Sequence, residues 1–224
     1  MMHIRKSRKF FIYFFLLILV GSINNIGFSN LDLKSIKQIN VSGLDDKDNE
    51  NLSKEMKNLQ LNNIFFINSD QIYELINSNS LVEKFEIFKK YPSSIDIKIQ
   101  KTNFLAKINK NGKIYLVGSN AKISKYDLNY HDLPFIFGKP DIIDFLNFKK
   151  KIDQSNFSYE EIKNLYFYPS KRWDLELKNN IFVKLPKDNV KESLNLSYKF
   201  LNEKNLQDSN LIDTRFKNQV VIKW

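Results

Sequence analysis

The longest apolar segment of the chain lies near its start. Residues 10–28 contain no charged side chain, and the first eleven of them are all apolar. As a helix, a segment of this length would extend about 28 Å, which is close to the hydrocarbon thickness of a bilayer. Basic residues precede the segment and no acidic residue does. The pattern predicts a membrane-spanning helix over residues 10–28, a cytoplasmic tail at residues 1–9, and all later residues on the other side of the membrane.

Two other interpretations of this segment remain open. A cleaved signal peptide also has a basic start and a short apolar core, and Gly27 and Ser29 are small enough to flank a cleavage site. A helix buried in a protein core is the third possibility. The first two interpretations agree that the chain after about Ser29 is exported, with residues 29–35 as a connector.

Between residues 36 and 102 the apolar pattern changes its period twice. It begins with the alternation of a strand and then takes the spacing of two helices, with apolar faces at Leu52, Met56 and Leu59 and at Ile72, Leu75 and Ile76. The alternation returns in a strand from Val82 to Phe88 and in another that carries Ile95, Ile97 and Ile99. The order β-α-α-β-β predicts a compact α+β domain, with two helices on one face of a three-stranded sheet.

Residues 103–224 show mostly strand patterns. Lys110-Asn111-Gly112 predicts a hairpin turn, residues 133–140 predict a loop, and Asp141 predicts the cap of a helix over residues 142–152. Strands are predicted at residues 162–168, 173–177, 182–185, 211–213 and 220–222, and a last helix at residues 190–201. We therefore expect a second domain that is mainly antiparallel sheet with two helices.

Charge and composition narrow the classes of partner. The chain has 35 basic and 25 acidic residues, a net charge of +10, and every acidic residue follows the apolar segment. An exported domain with a moderate positive excess suits anionic headgroups or an acidic protein, whereas nucleic acid is a poor candidate on that side of the membrane. The absence of cysteine excludes disulfides and thiolate metal sites.

Motifs for catalysis are missing from the sequence. The only histidines are His3 and His131, the six glycines are scattered singly, and no serine lies in a G-x-S-x-G setting. We therefore expect no catalytic, cofactor-binding or metal-binding residue, and a binding or scaffold protein rather than an enzyme. An anchored or secreted enzyme or small-ligand carrier, whose pocket forms only in the fold, is the main alternative.

Several short motifs occur in an order that is informative as a whole. They are residues 36–43 (IKQINVSG), Lys90-Tyr91-Pro92, Leu116-Val117, Leu133-Pro134, Arg172-Trp173-Asp174-Leu175, Leu185-Pro186 and residues 212–216 (IDTRF). In this order the chain resembles the FtsQ/DivIB family of bacterial cell-division proteins over nearly its whole length. It departs from the family pattern at residues 101–106, at Gly118 and at Asn180, which concern turns and surface charge.

The resemblance implies a POTRA domain at residues 36–102 and a C-terminal β domain at residues 103–224. It also implies a bitopic inner-membrane scaffold at the division septum, with the bulk of the chain periplasmic and with no catalytic activity or cofactor. In the family the POTRA domain contacts upstream division proteins, and the last strand binds the small partners FtsB and FtsL. A POTRA-type accessory of outer-membrane assembly is a further alternative.

The expected partner site lies near the end of the chain. A strand that ends the chain often ends the sheet, and its unpaired backbone groups can add a strand from a partner. Aromatic side chains at such an edge are typical interface anchors, although an ordinary edge with a core-facing Phe216 is also compatible with the pattern. The predicted partner-binding residues are Arg172, Arg215, Phe216, Asn218, Val220, Val221, Ile222 and Trp224.

Overall fold

The computed structural model describes residues 5–23, 36–59, 64, 69–202, 210–216 and 219–223. The chain packs as two compact units. The first draws on residues 1–76 and 85–99, and the second on residues 77–84 and 100–224.

The first helix, α1, covers Arg5–Ile23. It overlaps the predicted span but begins earlier, at the basic residues, and residues 24–28 of that span lie outside the described part of the chain. The apolar side chains of residues 10–20 are exposed. Of the helices that the structure describes, none combines the length and the apolar character needed to cross a membrane.

The first unit contains a small mixed α/β fold. Its elements are β1 (Gln38–Ser42), α2 (Asp46–Lys57), α3 (Ser69–Ser78), β2 (Val82–Lys90) and β3 (Ser94–Lys101), although the end of α3, the start of β2 and the end of β3 are assigned to the second unit. The strands form a sheet in the order β1-β3-β2, with β1 parallel to β3. The predicted order of elements is confirmed, and the predicted core residues Ile95, Ile97 and Ile99 are buried. Leu59 lies beyond the end of α2, because the helix stops at Lys57.

Gly43 determines how the chain leaves β1. Its φ is +110°, and a Cβ atom built there would lie 1.8 Å from the carbonyl oxygen of Ile99. Only glycine tolerates both the dihedral angle and this close approach of two backbones. The Ser42-Gly43 pair of the sequence pattern therefore has a structural reason, since it lets the chain turn tightly across β3 into α2.

The second unit is built on a nine-stranded sheet. Its elements are β4 (Phe104–Lys110), β5 (Lys113–Gly118), β6 (Ile123–Lys125), β7 (Phe135–Phe137), α4 (Ile142–Asp153), β8 (Ile162–Phe167), β9 (Trp173–Leu177), β10 (Phe182–Lys184), α5 (Val190–Leu201), β11 (Leu211–Asp213) and β12 (Val221–Lys223). The strand order is β12-β11-β10-β9-β8-β7-β4-β5-β6. Most neighbouring pairs are antiparallel, as predicted, but β7 is parallel to both β4 and β8, and β10 is parallel to β11.

Two details of the second unit differ from the sequence prediction. The segment predicted as a loop at residues 133–140 contains β7, which is inserted between β4 and β8. Three residues are too few to show an alternating pattern, so this strand depends on its neighbours rather than on its own sequence. Asp141 occupies the N-cap position of α4 but makes no side-chain capping bond. The helix forms nevertheless, because Phe145, Phe148 and Ile152 are buried.

The two faces of this sheet differ sharply. One face packs against α4 and α5 in a single core, where Trp173 stacks on Phe148 with the ring centroids 4.7 Å apart. Residues Ile136, Leu165, Leu175, Val183 and Ile212 are the buried members of the register row that lines this face. The adjacent row lies on the opposite side and runs Phe137, Tyr166, Asp174, Lys184, Asp213, Val221. We call this second side of strands β7 to β12 the open face.

Candidate functional site

Strand β12 forms one end of the nine-stranded sheet. It pairs with β11 through Leu211–Lys223, Ile212–Ile222 and Asp213–Val221, and the structure describes no strand on its other side. Ile222 is half-buried beside fully buried Ile212, whereas Val221 is 38% exposed and Lys223 is exposed. Among the described residues, one side of the β12 backbone therefore has no neighbouring strand, which is the requirement for adding a strand from another chain.

Arg215 lies two residues beyond β11 and is held by a buried carboxylate. Its Nε and Nη2 atoms donate to both oxygens of Asp213, with Nη2–Oδ2 at 2.5 Å, and Asp213 is only 4% exposed. The side chain and backbone of Thr214 both donate to the carbonyl of Lys184, which fixes this stretch against β10. Burial disfavours the charge on Asp213, but hydrogen bonds from the Arg215 side chain and backbone outweigh it and lower the pKa of Asp213.

Arg172, the residue before β9, has the same arrangement. Its guanidinium pairs with the carboxylate of Asp174, which is 2% exposed and also accepts a hydrogen bond from the backbone of Leu185. The guanidinium stacks on the ring of Tyr168, 4.4 Å from the centroid. Both arginines are thus pre-oriented by carboxylates of the open face, one on β9 and one on β11.

The two ion pairs belong to one patch. Lys184 of β10 is in register with Asp174 on one side and with Asp213 on the other. The pKa of Arg215 is raised mainly by its hydrogen bond with Asp213, and the charges of Asp213, Asp174 and Tyr168 add to the effect. The sheet therefore brings Arg172 and Arg215 together, although 43 positions separate them in the sequence.

The remaining predicted site residues divide into three groups. Phe216 is 52% exposed, with the Arg215 guanidinium 5.9 Å from its ring centroid, so this side chain does not face the core. Val220 is half-buried against the core, and Val221 and Ile222 form β12. Asn218 and Trp224 lie outside the described residues.

Sequence reasoning missed the carboxylates that hold these arginines. Asp174 and Glu176 alternate with buried Trp173, Leu175 and Leu177 along β9, yet both carboxylates are buried as well. The spacing Arg172-x-Asp174 and Asp213-x-Arg215 was an available signal, because residues two apart on an extended chain share one face.

Glu176 is the third buried carboxylate of the open face. It accepts hydrogen bonds from Asn164 at 2.8 Å and from the hydroxyl of Tyr166 at 2.7 Å, and Lys163 pairs with it at 2.9 Å. Burial disfavours its charge, but these three donors prevail and lower its pKa. Burial together with the bond to Glu176 raises the pKa of Tyr166 to about 12, so that this phenol stays protonated as a donor.

The described part of the chain has features that bear on the binding of metals and small ligands. Its His, Asp and Glu residues include no group of three that could hold a metal ion. A groove of about 790 Å³ lies between the β4–β5 hairpin and the start of α4, and its lining combines apolar residues such as Ile108, Ile123 and Ile142 with Lys110, Lys139, Asp141 and Asp144. This groove is a candidate site for the alternative of a small-ligand carrier.

Comparisons with known proteins agree on one family. The family model of the FtsQ-type POTRA domain matches residues 34–101, and the model of the C-terminal domain of the cell division protein FtsQ/DivIB matches residues 99–215, more than half of the chain. The cell division protein FtsQ of Rickettsia bellii (strain RML369-C) is 23% identical over 195 residues, which cover 84% of this chain and 72% of that protein. The FtsQ protein of Bradyrhizobium diazoefficiens is 21% identical over 167 residues, covering 71% of this chain and 48% of that protein.

A solved structure gives a weaker likeness. The extracytoplasmic domain of the trans isomer of the cell division protein DivIB from Geobacillus stearothermophilus aligns with a TM-score of 0.33 and 10% identity, over 42% of this chain and 87% of that one. A score this low supports no argument about the fold. The two family models cover the chain from residue 34 to residue 215 without a gap. The chain belongs to the FtsQ/DivIB family of cell division proteins.

Proposed function

We propose that the chain is a bitopic scaffold of the bacterial division complex. Residues 10–28 anchor it in the inner membrane with the N-terminus in the cytoplasm, and the two folded units lie in the periplasm at the septum. The chain has no catalytic activity or cofactor and acts by linking early and late division proteins. FtsB and FtsL bind at the last strand, and upstream division proteins bind at the POTRA domain.

The observation that carries this proposal is the side of β12 on which the structure describes no strand. Its neighbour β11 uses one side of the strand, and Val221 and Lys223 extend into solvent. An extended partner segment gains a ladder of main-chain hydrogen bonds there and side-chain contacts at alternate positions. Half-exposed Phe216 supplies an aromatic anchor beside the strand.

The two arginines favour an acidic partner. Each is held in place by a buried aspartate, so little side-chain entropy is lost when it binds a second group. Arg215 uses Nε and Nη2 for Asp213, and its Nη1 has no hydrogen-bond partner among the described residues. A carboxylate on the partner would supply a hydrogen-bond acceptor for Nη1 of Arg215. The charge complementarity would mainly raise the association rate and the selectivity for that partner.

Proline substitutions in β12 test the proposal. Adjacent residues of a strand direct their N–H groups to opposite sides, so of Val221 and Ile222 one donates towards β11 and the other away from it. The outward proline should leave the chain folded and abolish capture of purified periplasmic segments of FtsB and FtsL. Circular dichroism and a pull-down on Val221→Pro and Ile222→Pro provide the measurement.

Matched variants separate the backbone from the side chains. Val221→Thr and Ile222→Val keep both N–H groups and nearly the same shape, and they should bind like the wild type. If both proline variants fold and still capture the partners, the docking edge lies elsewhere and the assignment to β12 is wrong.

A further inference from the structure

The groove between the β4–β5 hairpin and the start of α4 lies on the helix side of the sheet. Its lining includes half-buried Ile108, Ile123 and Ile142, together with Ile143, which is 58% exposed. We call this concavity the hairpin groove. The strand register places it on the same side as the core, because Ile108 of β4 is in register with buried Ile136 of β7.

The hairpin groove continues the core outwards along β4. Residues two apart in a strand share a face, and on this face Ala106 is fully buried, Ile108 is half-buried and Lys110 is exposed. The apolar surface at the groove lies beside α4, at the end of the helix layer that packs on the sheet. A groove of this form, with an apolar lining next to a helix layer, suits an amphipathic helix from another chain.

Three lysines share the groove's side of the sheet. Lys110 and Lys113 lie directly opposite each other across the hairpin. Lys125 of β6 is in register with Tyr115 of β5, which in turn is in register with Ile108. All three lysines are exposed, and within the described chain none of them makes an ion pair with a carboxylate. The strands therefore present a basic wall to the groove.

The composition of this region strengthens the basic wall. From position 97 to position 126 the chain has seven lysines and no acidic residue. Like charges that face each other across a ladder destabilise it, so the opposed pair of Lys110 and Lys113 has a cost that acidic groups of a partner would offset. The acidic residues that line the groove, Asp141 and Asp144, belong to the start of α4. The strand side of the groove is therefore complementary to carboxylates.

Two other modes of occupation fit these strands less well. β6 has three residues, so a strand added at its edge would gain few main-chain hydrogen bonds. The side of β6 away from the groove is engaged, because the Ser124 hydroxyl donates to that of Ser80 at 2.6 Å and the Lys122 ammonium donates to the Asn79 carbonyl at 3.2 Å. A second copy of the chain would bring a second set of the same lysines to a symmetric contact. The favoured occupant is an acidic helix of a different polypeptide.

We propose that the hairpin groove binds an amphipathic, acidic helix of another polypeptide. Apolar side chains of that helix fill the groove over its isoleucines, and acidic side chains on the flank next to the strands pair with Lys110, Lys113 and Lys125. The groove lies near β6, at the other end of the sheet from β12, and the inference does not depend on the docking proposed there.

Photo-cross-linking in dividing cells tests it with the full-length chain. The cross-linker p-benzoylphenylalanine is introduced singly at Ile123 or Ile143, which line the groove. The matched control is Ile114, which is 42% exposed on the opposite side of the same hairpin. We expect Ile123 and Ile143 to capture the same polypeptide and Ile114 to capture none of it. Mass spectrometry of the cross-linked fragment should identify a segment with apolar residues three and four positions apart and with several acidic residues between them.

A single charge reversal separates binding from folding. Lys113→Glu turns the opposed lysine pair into a pair of opposite charges, so the melting temperature of the purified full-length chain should stay the same or rise. The yield of the cross-link at Ile143 should nevertheless fall about threefold or more, since the acidic flank of the partner loses a cation and meets a carboxylate. Lys178→Glu, which reverses an exposed lysine that does not line the groove, should leave the yield unchanged.

Several results would overturn the inference. They are capture of a second copy of this chain, of lipid or of nothing at Ile123 and Ile143, and capture of a segment without acidic residues. Equal cross-linking yields from Lys113→Glu and Lys178→Glu would also contradict it. If Lys113→Glu lowers the melting temperature, Lys125→Ser takes its place in this comparison, because it removes a charge of the basic wall from a different strand.

Discussion

The best-defined contact at the residue scale is the pair of Arg215 and Asp213. The arginine was predicted as a partner-binding residue, and the structure adds that a buried carboxylate fixes it. An ion pair of this kind contributes little if both members are removed together, but loss of one member leaves the other without compensation. Asp213 is therefore a positioning residue, and its loss should affect both stability and the arginine's orientation.

We predict that Asp213→Asn lowers the free energy of unfolding by about 2 kcal/mol at pH 7, since a charge-assisted bidentate pair becomes a neutral one. Urea denaturation of the full-length chain in detergent, followed by tryptophan fluorescence, measures the change. Glu50→Gln is the matched control, because Glu50 pairs with Lys54 on an exposed helix surface and its substitution should leave the stability nearly unchanged.

The pH dependence of this difference has a definite sign. The pKa of Asp213 is lowered in the folded state, so the stabilisation is complete above the usual pKa of an aspartate and is lost as the pH falls below it. The difference in the free energy of unfolding between the wild type and Asp213→Asn should therefore be constant from neutral pH to about pH 5. Below about pH 4 this difference should become smaller. A gap that persists undiminished in acid would mean that the ion pair is not its source.

Residues that depart from the family pattern show what a sequence can and cannot predict. Asn180 has a φ of +65°, a conformation that asparagine accepts more readily than most residues, so it can replace a turn glycine. At Gly118 a Cβ atom would lie 2.6 Å from the Asn120 side chain and 2.9 Å from that of Thr102. A larger residue at position 118 would therefore meet two other side chains, and the sequence pattern around Gly118 does not predict this crowding.

At the element scale, long alternating or periodic segments were predicted correctly, whereas the short strands β6 and β7 were missed. β3, with Ile95, Ile97 and Ile99 facing one way, has enough residues to define its buried face from the sequence alone. β6 and β7 have three residues each and form because the neighbouring strands supply partners. The burial of Asp174 and Glu176 was missed for a related reason, since alternation indicates a face but not what covers it.

We predict that Ile97→Asp unfolds or severely destabilises the first unit. Ile97 is fully buried, and an unpaired carboxylate there should cost several kcal/mol, on the order of a small domain's whole stability. Lys98→Asp on the exposed face should cost less than about 1 kcal/mol, mainly through the loss of its contact with the Phe88 ring. Thermal unfolding followed by circular dichroism compares the two variants, and similar losses would show that the register of β3 is wrong.

At the scale of the whole molecule, the account rests on the asymmetry of charge about residues 10–28. The basic residues of the tail should hold the N-terminus in the cytoplasm, so we predict that a reporter active only outside the cytoplasm is active when fused after Trp224. The fusion protein should remain in the membrane fraction. Release into the soluble periplasmic fraction would identify a cleaved signal peptide, and an inactive reporter would contradict export altogether.

The central claim is that a partner adds a strand to β12, and amide hydrogen exchange tests it most directly. In the free chain, the amide of β12 that points away from β11 should exchange rapidly, because the described structure offers it no strand partner. Binding of the FtsB segment should slow this amide by at least about a hundredfold while the amides of β6, at the other end of the sheet, keep their rates. If the segment binds and the outward amide of β12 still exchanges as in the free chain, strand addition at this edge is contradicted.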